Sequence, residues 1–358
     1  MSEHQSLDRT ERAILNAFQG GFPVVERPFE PAAAALTDAG VAVEPAELRR
    51  TIRELDESGT LSRFGPLINA DAIGGESTLV AMSVPEARFD GVADVVNDYP
   101  AVAHNYERDH ELNMWFVVSV PDASQIESVL EDIEQETGLE TYNLPKKREF
   151  YLEATFPVDG PLQDGLDCSS LGPDPEPVDR DGLTHREYEL IVAVQDGLPH
   201  SETPYADVAD RIDASPEWVV ETLNRFIASD KVRRVGVVPN HYALGYTENA
   251  MTVWNVPDDQ VGAVGEALGT LPFVTHCYER PRHESVWSYN LFAMVHGVSS
   301  EQCRDRIDRA RETVTENLAG ELRAWDTLYS TRILKKTGIR LSERAREAVS
   351  GDNEVRQR

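Results

Sequence analysis

Lysine and cysteine are scarce in this chain. Only five of its 34 basic residues are Lys, and three cysteines occur among 358 residues. Those three, Cys168, Cys277 and Cys303, form no CxxC pair, which excludes the usual zinc and cluster signatures and fits a reducing cytoplasm. No apolar run approaches the length that spans a bilayer, and the opening Met1-Ser2-Glu3-His4-Gln5 lacks the basic and apolar regions of a signal peptide. A cytoplasmic location is therefore expected. Positive charge is also in short supply: 63 acidic residues oppose 34 basic ones, for a net charge of −29. That balance repels nucleic acid and anionic membranes at long range. It fits a halophilic cytoplasm, where salt screens self-repulsion; equal folding and solubility at low and multimolar salt would refute the idea.

What the chain does contain is two similar halves. Its length supports two or more domains, and a hydrophobic content of 41% is ordinary for globular proteins. In the first half, helical spacing predicts helices over 8–19 (with Asp8 as cap), 31–37 and 45–57, followed by a turn and short strand over 59–64. In the second, helices are expected over 184–195, 204–211 and 215–229, the last opened by Ser215-Pro216, with a strand at 232–235. Each set reads as a winged helix-turn-helix. A β-α-β-β-α-β pattern follows each wing. It predicts strands at 77–84, 101–108, 111–120 and 141–156 around helices 86–98 and 124–137. The second copy has strands 248–256, 273–280, 288–296 and 322–334 around helices 258–270 and 299–318. This is the ferredoxin-like order. The expected fold class is α+β, two tandem copies of winged helix plus ferredoxin-like domain. The expected boundaries are 1–60, 61–156, a Pro/Gly/Asp-rich linker at 157–182, then 183–231, 232–340 and a polar tail at 341–358.

One phrase occurs twice: His104-Asn105-Tyr106-Glu107-Arg108 and His276-Cys277-Tyr278-Glu279-Arg280. Each copy follows a Val-Pro turn (Val84-Pro85, Val256-Pro257) and precedes a second histidine, His110 or His283. An Asn-x-aromatic strand comes next, Asn113 to Trp115 and Asn290 to Phe292. Arg63-Phe64-Gly65 with Asn69 and Gly74 likewise matches Arg234-Val235-Gly236 with Asn240 and Gly245. The second hairpin is longer around Pro281–Trp287, so the copies are no longer equivalent. Alternate residues of a strand share a face. His104, Tyr106 and Arg108 therefore point one way, as do His276, Tyr278 and Arg280, while Cys277 points away.

A winged helix followed by a ferredoxin-like sensor domain resembles the Lrp/AsnC regulators. The hairpins resemble something narrower. His-Asn-Tyr-x-Arg-Asp-His-x-x-Asn-x-Trp-Phe in the first half is similar to one subunit type of the sirohaem decarboxylases. His-Cys-Tyr-x-Arg-Pro with Trp-x-Tyr-Asn-Leu-Phe-Ala-Met-Val-His-Gly in the second is similar to the other. The resemblance covers nearly all of the chain outside the termini and linker. It implies both subunit types fused as an intramolecular pseudo-heterodimer, with further homodimerisation open. It also implies removal of CO2 from two acetates of sirohaem, giving 12,18-didecarboxysirohaem, in the alternative haem route or haem d1 synthesis. No cofactor beyond the substrate's own iron is implied.

On that resemblance, His104, His110, His276, His283, Tyr106 and Tyr278 are the candidate proton-transfer residues, since imidazole exchanges protons near neutral pH. Arg63, Arg108, Arg234 and Arg280 are candidates for the substrate's carboxylates, which a guanidinium grips bidentately. Asn113, Trp115, Tyr289 and Asn290 match the family motif and are further substrate-binding candidates; Trp115 and Tyr289 fit a core position as well as a cofactor contact. His110 or His283 is a candidate axial ligand to the substrate iron. Each has a plainer alternative: an exposed turn histidine for His110 and His283, and an interdomain salt bridge for Arg63 and Arg234. Cys277 is expected as a buried thiol and His296 as a strand end. Lys146-Lys147-Arg148 is the densest basic cluster, too small by itself to imply nucleic acid. The presumed recognition helices are net negative: Glu44, Glu47, Glu54, Asp56 and Glu57 against Arg49, Arg50 and Arg53, then Glu217, Glu221 and Asp230 against Arg225. No DNA or membrane partner is expected. The other function classes are a transcription regulator and a non-catalytic haem or sirohaem sensor.

Overall fold

The computed structural model describes residues 7–120, 122–153, 155–163, 165–166 and 183–336. The expected tail, Cys168 and residues 167–182 of the expected linker lie outside them. In the first half, helices α1 (Arg9–Phe18), α2 (Phe29–Asp38) and α3 (Pro45–Glu57) lead into strand β1 (Leu61–Ile68). Then come β2 (Glu76–Met82), α4 (Phe89–Asp98), β3 (Val102–Arg108), β4 (Met114–Val120), α5 (Gln125–Thr137), β5 (Thr141–Pro145) and β6 (Arg148–Leu152). The second half has α6 (His185–Val194), α7 (Pro204–Arg211), α8 (Pro216–Ala228) and β7 (Val232–Pro239). It continues with β8 (Glu248–Asn255), α9 (Val261–Gly269), β9 (Val274–Glu279), β10 (Leu291–Gly297), α10 (Ser300–Glu316) and β11 (Ala324–Lys336). Local chemistry starts the helices where expected. Asp8 accepts from Glu11 N at 2.8 Å while Glu11 accepts from Asp8 N at 2.7 Å, a reciprocal box that satisfies two orphan donors. Thr184 and Glu187 repeat it on α6, and Ser215 caps α8 ahead of Pro216.

The described residues form two compact units, each assembled from both halves: 7–74 with 155–245, and 75–153 with 246–336. The first is the helical unit. Its wings β1 and β7 pair antiparallel with each other, Gly65 opposite Gly236. The expected boundaries at 60/61 and 231/232 are thereby corrected: the wings stay with the helices, and the chain leaves this unit after residue 74 and again after 245. Each wing also seats on the other half. A Cβ at Gly236 would lie 2.4 Å from the Phe18 carbonyl oxygen at the end of α1, and one at Gly65 would lie 2.9 Å from Gly197 Cα, just beyond α6. One continuous core joins Phe18, Phe22 and Phe64 to Tyr205, Phe226 and Val235. The start of the expected linker is ordered against α1, where Asn16 exchanges two hydrogen bonds with the backbone of Val158, at 2.8 and 2.9 Å.

The second unit is a nine-stranded sheet in the order β5-β2-β4-β3-β11-β8-β10-β9-β6. Each half contributes a ferredoxin-like four-stranded sheet, and each donates chain to the other. Strand β11 pairs with β8 through residues 324–329 and then with β3 of the first half through 330–336. The strand expected over 141–156 is corrected to two segments: β5 stays in its own sheet beside β2, and β6 crosses to β9 of the second half. The alternation of each strand explains why. Val80, Met82, Met114, Phe116 and Val118 pack under α4 and α5; Ala250, Trp254, Ala293 and Val295 pack under α9 and α10. The opposite, helix-free faces also carry apolar residues. Ala81, Trp115 and Leu144 of one half meet Met251, Val253, Trp287, Phe292 and Leu328 of the other in a shared core. Trp115 and Trp287 touch edge to face at 5.0 Å and both are essentially fully buried. Burying two such indoles contributes several kcal/mol on area alone.

Candidate functional site

Strand register decides what the repeated phrase faces. Tyr106 sits opposite Trp115 and His104 opposite Val117; Tyr278 sits opposite Phe292 and His276 opposite Met294. Paired residues share a face, so both His-Tyr-Arg rows project from the helix-free faces, into the zone between the sheets. Cys277 points the other way, as expected. Its thiol is buried, donates to Gly265 O at 3.6 Å, and is pushed up in pKa by desolvation.

Much of the repeat has a structural job. The Arg108 guanidinium, 5% exposed, lies over the Tyr106 ring and donates Nη1 to Leu328 O of the second half at 2.8 Å. Arg280 lies over Tyr278 and donates Nη1 to Leu144 O of the first half. Each Tyr-x-Arg pair therefore fastens a strand of the opposite half. Both arginines were expected to hold carboxylates, yet each already gives one Nη to a carbonyl. The asparagines are equally committed. Asn113 accepts from Val84 N and donates to Val84 O, both at 2.9 Å; Asn290 does the same to Val256 at 2.9 and 3.0 Å. These clamps hold the Val-Pro turns against the hairpins. Trp115 is core, its Nε1 bonded to Leu112 O at 2.6 Å, and half-buried Tyr289 packs on Trp287 at 4.9 Å. Burial, with Asp326 nearby, raises the Tyr289 pKa.

The histidines remain, and no two are alike. His104 is half-buried beside Lys336; desolvation first, then that lysine, push it down to about 4, so it is a neutral imidazole at pH 7. His276 Nδ1 lies 2.8 Å from the Thr275 hydroxyl. His110 Nδ1 accepts from Leu112 N at 2.9 Å, which places its proton on Nε2. His283 Nε2 donates to Asn143 O at 2.7 Å and its ring meets Tyr142. His110 therefore offers iron no Nε2 lone pair unless its bond to Leu112 N breaks, whereas His283 keeps a lone pair on Nδ1 with its bond to Asn143 intact.

Lysine is the signal that sequence reasoning missed. Lys336 pairs in register with His104 from the strand that the second half donates, and burial lowers its pKa. Lys146, at the bend where the first half crosses over, stands 5.8 Å from the Tyr278 ring and 2.9 Å from Glu149. Four of the five lysines stand at the ends of these exchanged segments (146, 147, 335 and 336), and their scarcity elsewhere was the available clue. Arg63 and Arg234 belong to the helical unit. There Arg63 donates to Gln195 O at 3.3 Å, its pKa lowered by burial against the opposing pull of Asp196, and Arg234 is buried on β7. A cavity of about 640 Å³ opens beside α5, lined by Glu76, Glu127, Glu131, Glu134 and His283. Its charge is wrong for a polycarboxylate. His296 is the buried strand-end residue expected.

Two ferredoxin-like sheets with facing ligand walls, joined to tandem winged helices, define a ligand-binding protein of the AsnC architecture. Residues 72–151 and 243–335 match the family described as "AsnC-like ligand binding domain", and residues 187–233 match "Siroheme decarboxylase NirDL-like HTH domain". Over 343 residues the chain is 33% identical to the NirDL subunit of sirohaem decarboxylase from Paracoccus denitrificans, covering 94% of this chain and 99% of that one. The NirH subunit from Paracoccus pantotrophus is 49% identical and covers 43% of this chain with 93% of its own length. The crystal structure of sirohaem decarboxylase NirDL in co-complex with an iron-uroporphyrin III analogue superposes with a TM-score of 0.68 at 29% identity, covering 96% of this chain and 98% of that one. The chain belongs to the sirohaem decarboxylase family and is an enzyme.

Proposed function

We propose that this enzyme is a carboxy-lyase that converts sirohaem to 12,18-didecarboxysirohaem, removing CO2 from two acetate side chains in the alternative haem route or haem d1 synthesis. The observation that carries the reading is the pair of His-Tyr-Arg rows on facing helix-free sheets, each with a lysine supplied by the opposite half, in a chain of this family. The NirDL relative crystallised with an iron-uroporphyrin analogue supports a tetrapyrrole as the ligand. Lys146, Lys336, Arg108 and Arg280 hold the carboxylates that do not react. A histidine protonates the carbon framework beside the reacting acetate. The C–CO2 bond then breaks toward that electron sink, and the framework proton is given up as the former methylene takes one, completing the methyl group with one proton consumed per acetate. The reacting acetate belongs against the apolar side of the site, where loss of its charge is favoured. No cofactor beyond the substrate iron enters, and the fused halves act as one pseudo-heterodimer in the cytoplasm. Anaerobic incubation of the pure protein with sirohaem should release two CO2 per substrate; an unchanged substrate mass would end the proposal.

The regulator reading requires arginines free to meet phosphates. On α3, Arg50 lies 3.6 Å from Glu54 and Arg53 3.7 Å from Glu57; on α8, Arg225 bonds Glu187 at 2.7 Å. These pairs, on net-negative helices, favour winged helices that no longer bind DNA. Operator footprinting at the cell's own salt concentration separates the two readings.

A further inference from the structure

The two histidines of the repeated phrase differ in what stands behind them. The β9–β10 ladder slips between the pairs Met294–His276 and Val295–Val274, so Thr275 is an extra, bulged residue. A bulge re-aims its side chain. Here the Thr275 hydroxyl reaches back to the ring of its own neighbour, 2.8 Å from His276 Nδ1, and lies 3.1 Å from Nε2 of His296 on β10. Thr275 is 4% and His296 6% exposed. Both are held: Glu153 N donates to Thr275 O at 3.0 Å, and Arg306 donates to His296 O. The first half keeps the bulge, with a slip between Val102 and His104, but Ala103 stands there in place of the threonine. Counting from Asn113 and Asn290, Ser119 stands in place of His296. The buried His104 Nδ1 meets no hydrogen-bonding partner among the described residues.

We propose that Thr275 and His296 are positioning residues that hold His276 as the proton donor of the decarboxylation and, through the Thr275 hydroxyl, deliver a compensating proton to its Nδ1 as Nε2 gives one up. The inference rests on the decarboxylase reading. A hydroxyl has one proton, so it donates to one ring and accepts from the other. When His296 Nε2–H donates to Thr275 and Thr275 donates to His276 Nδ1, the His276 proton is fixed on Nε2, the ring edge turned toward the facing sheet. For each acetate the bond between methylene and carboxylate breaks, and its electron pair ends in a new C–H bond. One proton is consumed. It leaves His276 Nε2 as the Thr275 proton passes to His276 Nδ1 and the His296 Nε2 proton passes to Thr275. His296 therefore enters the step as imidazolium and leaves it neutral. To reset, solvent protonates the vacated Nε2 of His276, and the Nδ1 proton returns through Thr275 to Nε2 of His296. The chain of atoms is absent behind His104, which assigns the donor role to the second half.

The test uses the full chain with Thr275→Val, Thr275→Ser and His296→Gln, and Ser119→Ala as the first-half control. Anaerobic turnover of sirohaem gives kcat and KM, and the Soret shift reports binding. Thr275→Val and His296→Gln should lower kcat by about tenfold or more, with KM and the Soret shift unchanged. Thr275→Ser should recover most of the rate and Ser119→Ala should match the wild type. Nitrogen-15 spectra of the wild type, which need no turnover, should show His276 in the Nε2–H form, and Thr275→Val should lose that preference. Wild-type kcat in Thr275→Val, or a parallel loss of binding in Thr275→Val and Thr275→Ser, overturns the relay. A wild type that binds sirohaem yet releases no CO2 ends the decarboxylase reading instead, and the spectra still decide whether Thr275 sets the tautomer.

Discussion

The hairpins β3–β4 and β9–β10 present the same His-x-Tyr-x-Arg order on equivalent faces, yet only part of that order does the same work in both. Tyr and Arg are used identically: Arg108 reaches Leu328 and Arg280 reaches Leu144, each in the opposite half. The asparagine clamps are equally symmetric. The histidines are not. His104 lies beside Lys336 with a strongly lowered pKa, and His276 is tied through Thr275 to His296. A duplicated motif therefore contains a symmetric part, which holds two halves together, and an asymmetric part, where chemistry can differ.

The sharpest way to break this comparison is to remove one histidine at a time. His276→Ala should lower kcat by about 100-fold or more while sirohaem still binds. His104→Ala should mainly raise KM, because among the described residues no hydroxyl stands behind His104 Nδ1 to replace a donated proton. Product mass and steady-state rates check both; a larger kcat loss in His104→Ala would reverse the roles. The symmetric part predicts matched losses. Arg108→Ala and Arg280→Ala should each cost about 1–3 kcal/mol, since each strands a carbonyl at the strand exchange. Denaturant unfolding measures this, and a change in only one of them would break the symmetry.

A smaller effect follows from pH. The His104 pKa is about 4 in the folded chain against 6.5 ordinarily. Between those values the unfolded chain binds more protons, so His104 costs stability as pH falls from 6.5 toward 4, and the cost levels off below. His104→Asn should remove that part of the acid destabilisation, read from unfolding at about pH 7 and pH 5. The corresponding change at His276 offers the comparison across halves. Least of all, Arg50→Ala and Arg53→Ala on α3 should shift stability by no more than about 0.5 kcal/mol, because their pairs are exposed.

Local signals in the sequence were dependable. Asp8 and Ser215 cap the helices they were expected to cap, and strand alternation correctly put His276 and Cys277 on opposite faces. The strand expected at 141–156 was misread because nothing local marks Lys146-Lys147 as the bend where the chain changes sheets. Lys336 went unnoticed as a neighbour of His104 because the two come together only through the β11–β3 pairing. The motif asparagines were read as ligand contacts, although their partners, Val84 and Val256, were already named in the same repeat.

The sequence by itself determined the elements, their duplicated order and the face each repeated side chain occupies, because helix and strand periodicity and end caps act over a few residues. It also carried the family motifs. Which half supplies each neighbour was decided only in three dimensions. Each sheet has an apolar helix-free face that its own half cannot cover, and each has an edge strand with unpaired backbone groups. Burying the one and pairing the other required strands to be exchanged between halves. That exchange, and not the repeat itself, set a lysine beside His104.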